Sequence, residues 1–156
     1  MAATAIQTCD SASSSAGEPE IVLIPKEDVD RVAGLAGPLL EKGIGALRGT
    51  ATATGLLRQC AEDHMQLWLE VQPLSSTVDV AIITELVRCE EILLARVVLA
   101  CGSGLFRAPA RRYLATLESW ARFQGCDRII IQGRAGWARY LPDPYEEIAR
   151  VWERRL

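Results

Sequence analysis

The chain is poor in several residue types that carry chemistry or mark compartments. Among its 156 residues are one histidine, two phenylalanines, two methionines and two lysines. His64 alone would have to serve any Ser-His-Asp or Cys-His hydrolase, and Cys101-Gly-Ser-Gly104 is not a G-x-S-x-G elbow, so hydrolysis is set aside. The five cysteines (Cys9, Cys60, Cys89, Cys101 and Cys126) are odd in number, widely spaced and contain no C-x-x-C pair. That argues against both a disulfide framework and a zinc site and fits reduced, mostly buried thiols in a cytoplasm. No run of 18 apolar residues is present, which argues against a membrane helix. No basic residue precedes Lys26 and no long apolar stretch opens the chain, so a secretory signal is not expected.

What is there has ordinary globular composition, 49% hydrophobic and 24% charged, at a length suited to one domain. The net charge of −3 conceals an asymmetry: residues 1–104 carry 7 basic and 14 acidic side chains, and residues 105–156 carry 10 and 6. A general nucleic-acid binder would show a stronger basic bias, whereas a local patch for a phosphate or a partner fits. Residues 1–19, rich in Ala, Ser and Thr, cannot offset the entropy of ordering and are expected to form a tail, or an arm that orders against another subunit. Residues 20–156 then make up the folded domain.

Short apolar or alternating runs predict strands at Ile21–Ile24, Gln66–Val71, Val78–Val87, Ile92–Ala100 and Arg128–Ile131. The run Ile92–Ala100, broken only by Arg96, reads as a central strand covered on both faces. Lys26–Leu40 has helical spacing at Val29, Val32, Leu35 and Leu39, but Gly34, Gly37 and Pro38 predict a break. Thr54 suits the N-cap of a second helix that carries Leu56, Leu57 and Cys60 on its apolar side and ends near His64. Pro109 suits the first turn of a third helix, which runs to about Gln124 with Gly125 as its cap and Leu114, Leu117, Trp120 and Ala121 as its buried stripe. Three strands joined by short turns form an antiparallel meander. The following strand–helix–strand forms a right-handed parallel crossover. A short helix over 133–141, ended by Pro142, completes the unit.

Between the central strand and the third helix lies Gly102-Ser-Gly-Leu-Phe-Arg107. A glycine turn that feeds a helix start presents main-chain N–H groups and the positive end of a helix dipole, and a diphosphate can sit there. Arg107, Arg111 and Arg112 could add charge. Any strand-to-helix turn also uses glycine, so this motif by itself is a weak signal.

The order of elements resembles the GNAT acetyltransferase fold. More narrowly, Leu67-Trp68, Arg96-Val-Val-Leu-Ala100, Leu117-Glu-Ser-Trp-Ala-Arg122, Gly125-Cys126 and Gly133-Arg-Ala-Gly-Trp-Ala-Arg139 are similar to GNAT-like proteins of tailed phages and prophages. The resemblance implies an α/β (α+β) domain whose mixed central sheet pairs a meander with a βαβ crossover, helices on both faces. It implies acetyl-CoA as ligand, held along Val98, Leu99, Cys101, Gly102, Ser103, Gly104, Leu105, Phe106 and Arg107. The family's usual turn begins with Gln or Arg, then two residues, Gly, one residue, and Gly or Ala; Cys101–Phe106 supplies glycines without that spacing. The family's acid is often a tyrosine five residues before an aromatic, as Tyr140 stands before Tyr145, and Tyr140 is the candidate acid. Glu85 is the candidate base, with Glu90 and Glu91 as further carboxylates; packing for the tyrosine and solvated roles for the glutamates are the plainer alternatives. The resemblance also implies a final strand over about 147–155, where local spacing would allow a helix. Two functions follow: a phage-encoded N-acetyltransferase acting on an amine acceptor in the bacterial cytoplasm, or a non-catalytic virion protein that uses the fold for self-association or to bind other phage structural proteins.

Overall fold

A computed structural model describes residues 19–47, 49–72, 77–106, 110–132, 141–142 and 145–148. The expected tail, Arg107, Tyr140 and nearly all of the expected short helix and final strand lie outside the described residues.

Five strands form one sheet in the order β1 (Glu20–Ile24), β2 (Gln66–Val71), β3 (Val80–Cys89), β4 (Ile92–Gly102) and β5 (Arg128–Ile131). The first three pairings are antiparallel and β4–β5 is parallel, as the meander and crossover require. The alternating and apolar runs of β2 and β5 give their boundaries directly. β3 starts and ends two residues later than the expected Val78–Val87, and β4 runs two residues past Ala100, because Val80 pairs with Gly102 at one end and Cys89 with Ile92 at the other. Glu90, with φ 50, turns the chain between them.

Helices α1 (Val29–Gly43) and α2 (Ala53–Ala61) cover one face. The expected break in α1 does not occur: Pro38 lies inside a continuous helix. Pro38 and Gly34 are exposed, and Val29, Val32, Ala36 and Leu40 pack on the sheet, so burial of that stripe outweighs the lost hydrogen bond. Leu35 is consequently outside the core, at 49% exposure. The N-cap of α2 is Thr52, not Thr54. Thr52 has extended backbone and its Oγ1 accepts the Gly55 N–H at 3.0 Å, which places Thr54 within the first turn.

Helix α3 (Ala110–Phe123) packs on the other face. Its stripe begins at Tyr113, which is buried, whereas Leu114 is only half-buried; Leu117 and Ala121 are buried as expected. Gly125 (φ 76) ends it in a Schellman motif, with Gly125 N–H on Arg122 O (3.0 Å) and Cys126 N–H on Ala121 O (2.9 Å). Asp127 then fastens the start of β5 to β4, accepting from Leu93 N–H at 2.9 Å and donating its own N–H to Leu93 O at 2.8 Å. The two faces give two cores, one around Leu40, Leu67 and Ile83 and one around Ile21, Trp68 and Leu117.

Candidate functional site

The run Ile92–Ala100 conceals an irregularity in β4. Ile83 pairs with Leu99 but its neighbour Thr84 pairs with Val97, so Val98 is an extra residue. Val98 and Leu99 both pack on the α1–α2 side, while Val97 and Ala100 pack on the α3 side. This is a β-bulge, which bends a strand and interrupts its ladder. Pairing with β5 stops at the same level, at Val97–Ile131, yet β4 continues to Gly102. Among the described residues, β4 has no strand beside it on that edge from Val98 onward. This stretch lies at the carboxyl ends of two parallel strands, the usual place for a ligand in such sheets.

The open edge runs into the glycine turn. Gly102 has φ 126, and a Cβ there would lie 1.9 Å from the Asp79 carbonyl oxygen, so only glycine fits. Ser103–Phe106 form a single 3-10 turn, with Leu105 packed on the α3-side core. Cys101, on the opposite face, is closely covered by α1, because a Cβ on Gly43 would stand 2.5 Å from Cys101 Cβ. Its Sγ donates to Ala81 O at 3.4 Å, and burial pushes the thiol up to about 11. Cys101 is therefore a packing group and a poor nucleophile.

Glu85 lies directly across from Arg96, one residue before the last β4–β5 pair, and accepts hydrogen bonds from its guanidinium. Glu90 and Glu91 sit at the other end of β4, about 20 Å along the strand from Val98 at roughly 3.3 Å per residue. Tyr145 donates its hydroxyl to Glu118 Oε1 at 2.9 Å, and burial first, then that carboxylate, raises its phenol above the ordinary range. The structure thus places Val98, Leu99 and Cys101–Phe106 along the second half of β4 and the turn after it, with Glu85 opposite Arg96 near the middle of the strand. It leaves Glu90 and Glu91 far away.

One polar group was missed in the sequence. Glu70, 2% exposed, points from β2 toward α3, where Tyr113 donates its hydroxyl to Oε2 at 2.8 Å and Gln72 Nε2 donates to Oε1 at 2.8 Å. Strand parity could have found the carboxylate, since Gln66, Trp68 and Glu70 share a face. Trp68 on that face is also held, donating Nε1–H to Thr84 Oγ1 at 2.9 Å and meeting Trp120 edge to face at 5.3 Å. Among the described residues no cluster of three or more His, Cys, Asp or Glu could hold a metal ion, and no helix is long and apolar enough to cross a membrane.

No family model and no curated protein matches this sequence. Solved structures do match in fold. The aminoglycoside N-acetyltransferase AAC(6')-Iy in complex with CoA superposes with a TM-score of 0.60 at 15% identity, covering 93% of this chain and 99% of that one. A GNAT family acetyltransferase from Staphylococcus aureus gives 0.60 at 14% identity, over 88% and 98%. A ribosomal-protein-alanine N-acetyltransferase from Brucella melitensis gives 0.61 at 12%, over 89% and 98%. None of these three is described as a phage protein, and their low identity speaks to architecture alone. Five strands in sequence order, a bulged β4, a parallel β5 and helices on both faces give this chain the fold of the GNAT acetyltransferases.

Proposed function

We propose that the protein is an N-acyltransferase that moves an acetyl group from acetyl-CoA to an amine. The observation that carries this reading is the continuous path from the open β4 edge at Val98 to the glycine turn at Gly102–Phe106. Pantetheine is an extended chain with two amides, and such a chain can pair with an unpartnered strand edge as an added strand does. The turn then offers main-chain N–H groups to the diphosphate, and the absence of a side chain at Gly102 lets it come close. The site residues are thus Val98 and Leu99 beside the acyl end, Cys101 to Phe106 through their main chain, and Arg107 through its charge.

Acetyl-CoA supplies an activated acyl carbon. The amine nitrogen forms a bond to that carbon, the carbon–sulfur bond breaks, the ammonium loses a proton and the thiolate gains one. Tyr140 is the proposed donor of the latter proton. Glu85 is the proposed acceptor of the former; its carboxylate would have to release Arg96 to take it up. The acceptor is a small amine or a protein amine. The aminoglycoside and ribosomal-protein-alanine acetyltransferases of the same fold act on one of each kind.

Thermal unfolding with and without acetyl-CoA tests the reading. Ligand at 100 times its dissociation constant stabilises by about 2.7 kcal/mol, or roughly 5–10 °C for a chain of this size. An unchanged midpoint at millimolar acetyl-CoA overturns it and favours the non-catalytic assembly module.

A further inference from the structure

Glu70 is the one buried carboxylate among the described residues, in a layer made mostly of Ile21, Trp68, Val80, Ile82, Val97 and Leu117, with Thr84 held by Trp68. Moving a carboxylate and a phenol out of water is costly, and an apolar pair of similar volume would pack there at least as stably. What the polar pair adds is direction. An apolar contact tolerates sliding and rotation of a helix on a sheet, whereas a 2.8 Å hydrogen bond to a single oxygen does not.

The place of this bond in the fold gives that direction a use. Tyr113 is the fourth residue of α3, and α3 begins four residues after the turn Ser103–Phe106. Glu70 is the second-last residue of β2, and its other oxygen is held by Gln72, whose Nε2 also reaches Asp79 Oδ2 at 3.4 Å. The carbonyl of Asp79 is the group against which Gly102 closes. A chain of contacts therefore runs from the first turn of α3 through the end of β2 to Asp79, the residue just before β3 whose main-chain carbonyl faces Gly102. It reaches the turn from the Gly102 side, and Tyr113 stands in the first turn of the helix that follows.

We infer that Glu70 and Tyr113 are positioning residues for the diphosphate of the acyl donor: their bond fixes the start of α3, and with it the aim of the turn's N–H groups. The inference rests on the acetyl-CoA reading above. It predicts that losing the bond weakens ligands that carry the diphosphate and spares those that lack it.

The test compares CoA with S-acetylpantetheine, which has the thioester and amides but no diphosphate. Titrations would use the wild type, Y113F, E70Q and the double variant E70L/Y113F, with CoA followed by calorimetry and S-acetylpantetheine by NMR. Y113F removes only the hydroxyl, and CoA should bind about tenfold more weakly, the equivalent of one well-aimed hydrogen bond. S-acetylpantetheine binding should stay unchanged. E70Q keeps an acceptor for Tyr113, but turning the Gln72 amide over to meet it breaks the Gln72–Asp79 contact, so its CoA affinity should fall between those of the wild type and Y113F, with S-acetylpantetheine unchanged. Y113F leaves the carboxylate short of a donor and could fail to fold; E70L/Y113F removes both polar groups, should melt no lower than the wild type, and should show the same selective loss for CoA. If the wild type binds no CoA, the donor reading itself falls. If the wild type binds CoA and the double variant binds it equally well, or loses both ligands in parallel, the positioning role is wrong.

Discussion

Cys60, Cys101 and Tyr113 are acidic groups held protonated by burial. Burial pushes Cys60 up to about 12 and Cys101 up to about 11 from an ordinary 9.0. Tyr113 is raised above 10.0 by burial first and by Glu70 second. The sign follows from linkage: above the ordinary value the unfolded chain loses a proton that the folded chain keeps, so rising pH favours unfolding. These groups contribute full stability below pH 9, and the loss begins there for the thiols and near pH 10 for Tyr113. Each titrating group removes about 1.4 kcal/mol per pH unit until its folded value is reached. Urea unfolding across this range should show a slope that steepens above pH 10, and Y113F should lessen the steepening. Equal stability at pH 8 and pH 11 would contradict the burial of these groups. The thiols could be expected to be buried from sequence, since cysteine is among the most buried residue types. Tyr113 could not, because its partner Glu70 is 43 residues away: strand parity puts Glu70 on the Trp68 face but does not name what meets it there.

At the scale of elements, β2 and β5 were legible because alternation or continuous apolarity marks their whole length. α1 was misread because local propensity sees Gly34, Gly37 and Pro38 but not the sheet that holds the helix straight. The bulge was illegible for a related reason: in Val97-Val-Leu99 every residue is apolar, so a change of face leaves no mark in hydrophobicity. The glycine turn was located correctly, but the requirement at Gly102 comes from the Asp79 carbonyl on β3, a contact that no single segment contains. Gly102→Ala should accordingly cost about 3 kcal/mol or more, with strained φ and a backbone clash acting together. Gly125→Ala, where φ is also positive but the Cβ would meet only open space, should cost about 1 kcal/mol. Denaturant unfolding of the two variants checks this ordering, and equal losses would mean that the approach of Asp79 to Gly102 does not set the turn.

For the whole molecule, the architecture joins two cores through one sheet, and its open feature lies where β4 outruns β5. The sequence asymmetry agrees with that place in part: the basic excess of residues 105–156 begins at the turn and includes the exposed Arg111 and Arg112. Glycine content, helix start and basic residues could be read in order along the chain, so the region of the candidate site was legible. Its shape was not, because it is made by pairing that stops rather than by residues that recur. On the proposed function, acetyl-CoA lies along the β4 edge and turn. Amide hydrogen exchange with and without saturating acetyl-CoA measures this most directly. Protection should rise over Val98–Phe106 and stay unchanged at the β3–β4 turn, Glu90–Ile92. Unchanged exchange over Val98–Phe106, or protection elsewhere in its place, would contradict acetyl-CoA binding along this edge.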